Sequence, residues 1–201
     1  MDNNTIIQRQ IEALENEAIS TSAIEGKILN RDSVKASIQK KLGFRDIDYN
    51  KIDNSIEYLI EVLIDANTNY NEDLTLKRLF AWHGAIFPKA YDNFNPINIA
   101  TFRGEETMQV IRGYAGKEVV YYEAPPRINL ENEMQNFLNW FNTTKESLIK
   151  ACIAHLWFVI IHPFDDGNGR ITRAITDLVL SKIENSTISR LYSMSNAINE
   201  D

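Results

Sequence analysis

A proline after a long apolar run constrains this chain most. Ser147 to Ile161 is almost continuously apolar and long enough for a helix that sits in a core. His162 and Pro163 follow, and a residue ahead of proline is pushed out of α geometry, so the helix stops at His162. Two glycines bracket Asn168, and Ala174, Ile175, Leu178, Val179 and Ile183 then recur at helical spacing. The fold must therefore accommodate helix, tight loop and helix, with a histidine at the break.

The rest of the chain reads mainly as helix. Ile7, Ile11, Leu14 and Ala18 share a stripe, with Glu12, Glu15 and Glu17 on other faces, and Ser20 to Ile24 continues to a stop at Gly26. Asp32 or Ser33 is expected to cap a helix carrying Val34, Ile38 and Leu42 that ends at Gly43. Periodic stretches cover Tyr49 to Asn67 and Leu74 to Phe87. Tyr91 to Gly104 reads as loop. Met108 to Ile111 and Glu118 to Tyr122 are β-prone and predict one hairpin, ended by Pro125 and Pro126. Asn129 is expected to cap a helix through Trp140.

Composition excludes several classes. Hydrophobic residues at 44% and charged residues at 24% fit a globular core and argue against disorder. A net charge of −7 argues against a general nucleic-acid footprint, which needs a basic face. No apolar run is long enough to span a bilayer, and the N-terminus lacks a signal-peptide pattern. The single cysteine, Cys152, excludes an internal disulfide, fits a reducing cytoplasm and reads as a small buried hydrophobe. His83 and His155 read as satisfied core or helix histidines, and no Cys/His set has zinc spacing.

The segment His162 to Arg173 concentrates chemistry. A loop entering a helix N-terminus presents unpaired N–H groups, an anion site by construction. Gly167 and Gly169 let an anion approach the backbone, and Asn168 adds a side-chain amide donor. Arg170 and Arg173 lie three apart, so two guanidinium forks leave the first turn on one face and can clamp successive phosphates. Asp166 offers the hard oxygen that magnesium prefers, and Asp165 reads as an exposed N-cap. Phe164 reads as an aromatic anchor pinning the loop. His162 titrates near neutrality and can deprotonate a hydroxyl.

This run matches the signature of the Fic family, His-Pro-Phe-x-Asp/Glu-Gly-Asn-Gly/Lys-Arg-x-x-Arg. Phe102-Arg103-Gly104, the hairpin and Ala124-Pro125-Pro126 resemble the family's target-docking flap, and His155 to Ile161 resembles the helix leading into the motif. The resemblance implies an all-α fold, a Fic-type helical bundle with a small β-hairpin flap. It implies transfer of AMP from ATP to a Tyr, Ser or Thr hydroxyl of a target protein, or of the chain itself, with Mg2+. His162 would then be the base, Asp166 would hold the magnesium, and Gly167, Asn168 and Gly169 would cradle the phosphates. Arg170 would meet the β-phosphate and Arg173 the γ-phosphate, with Met108, Gln109, Val110 and Ile111 forming the flap strand.

Thr21-Ser22-Ala23-Ile24-Glu25-Gly26 resembles the family's inhibitory pattern, Ser/Thr-x-x-x-Glu-Gly/Asn. By that resemblance Thr21, Glu25 and Gly26 form a brake in which Glu25 reaches Arg173. The implied organisation is an N-terminal helical segment, 1–70, with the inhibitory helix at about 18–26, and a catalytic core, 71–201. Similar proteins continue with a helix lining the nucleobase pocket and often a DNA-binding winged helix, and Arg190 to Asp201 looks like the entry to that region. Alternatives on the same scaffold are AMP removal, transfer of other nucleotides, phosphate or phosphocholine, and a regulatory or toxin–antitoxin module. Gly169 favours AMP transfer over phosphorylation, and a homodimer is compatible with the pattern.

Overall fold

The computed structural model describes residues 3–44, 47–48, 54–88, 91–92, 95–112, 119–185 and 193–200. These contain helices α1 (Asn3–Ile24), α2 (Arg31–Lys41), α3 (Asn54–Thr68), α4 (Leu76–Ile86), α5 (Leu130–Thr143), α6 (Leu148–Ile161), α7 (Asn168–Glu184) and α8 (Met194–Glu200). Strands β1 (Tyr91–Asp92) and β2 (Asn95–Pro96) make a two-residue pairing inside the stretch expected to be loop. Strands β3 (Gln109–Arg112) and β4 (Val119–Glu123) form the expected antiparallel hairpin, with a register shift between Val110 and Ile111. The all-α class with a hairpin flap is borne out. The expected helix start at Tyr49, the hairpin turn at 113–118 and the stretch 186–192 lie outside the described residues.

Two apolar clusters meet at α3. Ile56, Leu59, Ile60 and Leu63 pack with Ile11, Leu14 and Ala18 of α1 and Val34 and Ile38 of α2. Val62 and Ala66 belong instead to the larger cluster built from α4 to α7. One helix thus presents neighbouring faces to both clusters.

The central helix is α7, not α6 as the apolar run predicted. Every residue from Arg170 to Ser181 in α7 is buried. Its buried hydroxyls each find an acceptor: Thr172 Oγ1 donates to Asn168 O at 2.7 Å, Thr176 Oγ1 to Thr172 O at 2.9 Å, and Ser181 Oγ to Asn67 Oδ1 of α3 at 2.9 Å. In contrast, α6 buries only one face, and Ile149 and Leu156 are 72% and 61% exposed. Cys152 lies on that open face, so it is exposed rather than buried. Periodicity reports which residues share a stripe, not which stripe is covered.

Local signals explain most helix ends, with two departures from the expected caps. Asn30, not Asp32 or Ser33, caps α2 through Oδ1, which accepts from Ser33 N at 3.0 Å. Asn129 makes no side-chain cap, because a 3-10 turn at Arg127–Asn129 already leads into α5. Thr75 and Ser147 cap α4 and α6, each accepting an N–H three residues on at 3.1 Å. At the end of α1, Lys27 N donates to Ser22 O and Gly26 N to Ala23 O, both at 2.9 Å, and Gly26 takes φ 74. This left-handed closure presents Glu25 at the helix terminus.

Two acids of α1 are interior rather than on open faces. Glu15 is buried and pairs with Arg31. Glu17 is buried and accepts from Ser193 Oγ at 2.8 Å, Ser195 N at 3.0 Å and Ser195 Oγ, which docks α8 onto α1. Among the described residues no helix is long and apolar enough to cross a membrane.

Candidate active site

His162 closes α6 in the left-handed region, at φ 50 and ψ 58, with its N–H on Phe158 O at 3.0 Å. A non-glycine residue pays about 1–2 kcal/mol for that conformation, so neighbours must hold it there. Arg103 does so: it is buried, its Nε donates to His162 O at 2.9 Å, and its N–H donates to Pro163 O at 2.9 Å. Arg103 also bonds Pro125 O, which ties the hairpin's exit to the same point.

The imidazole Nδ1 lies 3.3 Å from Val159 O. A carbonyl only accepts, so Nδ1 carries the hydrogen and Nε2 is left with its lone pair outward. Burial pushes the ring's pKa below 6.5 and the Arg103 charge adds to that, against opposing effects of the Val159 bond, Asp166 and Glu25. The neutral, proton-accepting form therefore dominates at pH 7.

The loop after His162 is tied at every residue. Phe164 is buried and stacks on His83, with ring centroids 4.3 Å apart. The amide expected to serve as a donor to an anion is spent on this loop: Asn168 Nδ2 donates to Phe164 O at 2.7 Å, and Oδ1 accepts from Phe164 N at 3.0 Å. Asp165 is a brace, not the N-cap predicted for α7. Its carboxylate accepts from Asn98 N and Nδ2 at 2.9 and 2.8 Å and from Gly104 N at 3.2 Å. The N-cap position belongs to Gly167.

His83 is a positioning residue that the sequence reading treated only as core. It is fully buried, Ala100 N donates to its Nδ1 at 3.0 Å, and its Nε2 faces Asp166 O at 3.3 Å. With Nδ1 accepting, Nε2 carries the hydrogen and holds the Asp166 carbonyl, so a second proton has no room. Burial pushes the pKa down to about 4, helped by Arg170 and opposed by the Asp166 bond and Asp165. An unfolded histidine titrates near 6.5, so between pH 6.5 and 4 the unfolded chain binds the extra proton. The stability this group contributes is complete above pH 6.5 and falls with pH, by about 3 kcal/mol at pH 4. A melting series across that window is expected to show the loss, and His83→Gln is expected to flatten it.

Gly167 and Gly169 serve different needs. Gly167 sits at φ 80, and a Cβ there would lie 2.6 Å from Phe87 Cε2. Gly169 is helical, and its missing side chain makes space: a Cβ would overlap Glu25 Oε1 and lie 3.1 Å from Arg173 Nη1. A carboxylate thus occupies the α7 N-terminus, standing where an anionic oxygen of a ligand would fit. Arg173 Nη2 donates to Glu25 Oε1 at 2.6 Å and to Thr21 O at 3.1 Å, and its Nε donates to Thr21 Oγ1 at 2.6 Å. Arg170 turns the other way, over the Phe87 ring at 4.7 Å and 3.8 Å from Asp166 Oδ2. His155, beside this cluster, is 3.0 Å from Thr176 Oγ1, and burial and the Arg173 charge lower its pKa.

The donor set fits a polyanion better than a resident metal. Among the described residues no group of three or more His, Cys, Asp or Glu gathers to hold a metal. Asp166 is a single carboxylate with 38% of its side chain open, the environment in which magnesium arrives with phosphates and keeps waters. Beyond His162, the hairpin stands against the end of α6, where Tyr122 Oη donates to Ile160 O at 2.7 Å and Ala124 N to Met108 O at 2.9 Å. Gln109 and Val110 are exposed, Met108 is half-buried, and the side chain of Ile111 lies outside the described residues.

The loop from His162 to Gly167 thus joins a neutral imidazole to a helix N-terminus that a carboxylate fills. The chain belongs to the Fic/DOC family, whose model matches residues 73–180. A second model, a domain of unknown function (DUF4172), matches residues 1–44. Similar proteins include "Protein adenylyltransferase Fic" of Nematostella vectensis, 23% identical over 81% of this chain and 36% of that protein. A probable protein adenylyltransferase of Aquifex aeolicus is 33% identical over 40% of this chain and 26% of its own length. The chain therefore spans about a quarter to a third of the curated relatives it matches. A Fic family protein from Desulfovibrio desulfuricans G20 shares the fold with TM-score 0.65 at 21% identity, over 99% of this chain and 55% of that one. Fic-1 of Caenorhabditis elegans gives TM-score 0.63 at 21% identity, over 90% and 52%.

Proposed function

We propose that this chain is a protein adenylyltransferase that moves AMP from ATP to a hydroxyl side chain of a target protein, or of itself, and that Glu25 holds it off. The observation that carries the reading is the Glu25 carboxylate lodged between Gly169 and Arg173. Such a pocket accepts an anion, and the chain supplies one of its own. The adenylyltransferase names of the relatives support the same reading.

In this mechanism the first-turn N–H groups of α7 and Arg170 and Arg173 bind the triphosphate, Arg170 at the β- and Arg173 at the γ-phosphate. Asp166 would hold Mg2+, which supplies charge neutralisation on the phosphates when bound. His162 Nε2 takes the proton of the target hydroxyl, whose oxygen bonds to the α-phosphorus as the bond to pyrophosphate breaks. Thr21 and Gly26 set Glu25 against Arg173 and so exclude the productive triphosphate pose. Met108 to Ile111 offer a strand edge to the target. Cytoplasmic location and a homodimer belong to the same reading.

Intact-mass spectrometry of the Glu25→Gly protein, incubated with ATP and magnesium, tests it. A gain of one AMP per modified hydroxyl is expected; a gain of phosphate alone, or no AMP on the protein or on added hydroxyl-bearing peptides, overturns it.

A further inference from the structure

Between the hairpin and the end of α6 lies a groove of about 420 Å3, lined in part by His162. Its walls are mostly apolar, from Met108, Val110, Tyr122, Ala124, Val159 and Ile160, with Thr107 and Gln109 adding polar groups from the hairpin, and among the described residues no Asp, Glu, Lys or Arg lines it. The pleat explains the hairpin's share. Met108 and Val110 are two apart, Val110 pairs with Tyr122, and Ala124 lies two beyond Tyr122, so all four side chains share one sheet face. The bond from Tyr122 Oη to Ile160 O turns that face toward α6.

We propose that this groove selects targets bearing a large apolar side chain two residues from the modified hydroxyl. The inference rests on the adenylyl-transfer reading above and adds the class of target segment. Among the described residues β3 pairs only with β4, so its other edge can take an added strand. Side chains of an added strand alternate, and only positions two away share the face of the modified residue. That residue must point toward His162, which itself lines the groove. A neighbour two residues away, about 7 Å along the strand, then lies over Val110, Val159 and Ile160. Neighbours one residue away point outward. A groove with no charged wall gives a target Asp or Lys no opposite charge in return for its lost water, whereas Leu, Met or Phe sheds water favourably on entering.

The test uses the Glu25→Gly protein, ATP, magnesium and peptides with one hydroxyl residue, placing Leu or Asp at each of the two positions on either side. Leu is expected to exceed Asp in kcat/KM by about tenfold or more at a position two away, with a ratio near one at both adjacent positions. Val159→Lys is expected to invert the preference at that same position, favouring Asp. A flat profile, a preference confined to adjacent positions, or self-modification without transfer to any peptide overturns the groove and leaves the transfer reading standing. No AMP on peptide or protein overturns both.

Discussion

Replacing His162 with Ala is expected to reduce AMP transfer by about 10²- to 10⁴-fold, the range a positioned general base supplies. ATP affinity is expected to stay within a few-fold, because the anion site is built from α7 and His162 is not part of it. His162 sits at φ 50, so a variant can fail through its backbone as well as its chemistry. His162→Asn separates the two, since Asn tolerates the left-handed region while lacking a base. Equal losses in Ala and Asn variants, with ATP titrations unchanged, assign the effect to the proton. The pH profile adds a second reading: the ring must be neutral, and burial holds its pKa below 6.5. Rates are expected to be level at neutral pH and above and to fall only in acid. A profile that rises toward acid would contradict the base role.

Replacing Glu25 with Gly is expected to raise transfer at least tenfold and to tighten ATP binding in parallel. The carboxylate bonds Arg173 Nη2 at 2.6 Å and fills the space beside Gly169, so its removal both unmasks a guanidinium and opens the cradle. The thermal cost is expected to be small, about 1 kcal/mol or less, because Glu25 is partly open to water and Arg173 keeps two bonds to Thr21. The coupling has its own check. In an Arg173→Ala background Glu25→Gly should raise transfer by much less than in the wild type, since only the space beside Gly169 is left to free. Additive effects of the two substitutions would place the brake elsewhere.

Much of the architecture was legible because its signals are local. Pro163 ended α6, Gly26 ended α1, and the β-prone runs Met108 to Ile111 and Glu118 to Tyr122 pointed to the hairpin. What sequence reading missed depends on partners far along the chain. Nothing near His83 announces that it holds the Asp166 carbonyl 83 positions away, and nothing near Arg103 that it fastens His162. Asp165 looked like a cap because caps are commonly aspartate; its partners, Asn98 and Gly104, come from a loop that periodicity leaves undefined. The reversal of α6 and α7 has the same origin. Buried Thr172, Thr176 and Ser181 are affordable inside α7 because each finds an oxygen acceptor, which a hydropathy pattern does not record.

The most direct measurement supplies ATP labelled at the α- or the γ-phosphorus to the wild-type and Glu25→Gly proteins side by side, with magnesium. The account predicts strong protein-bound α-label in the variant, little in the wild type, and γ-label in neither. Protein-bound γ-label, or equal α-label in both proteins, would contradict it.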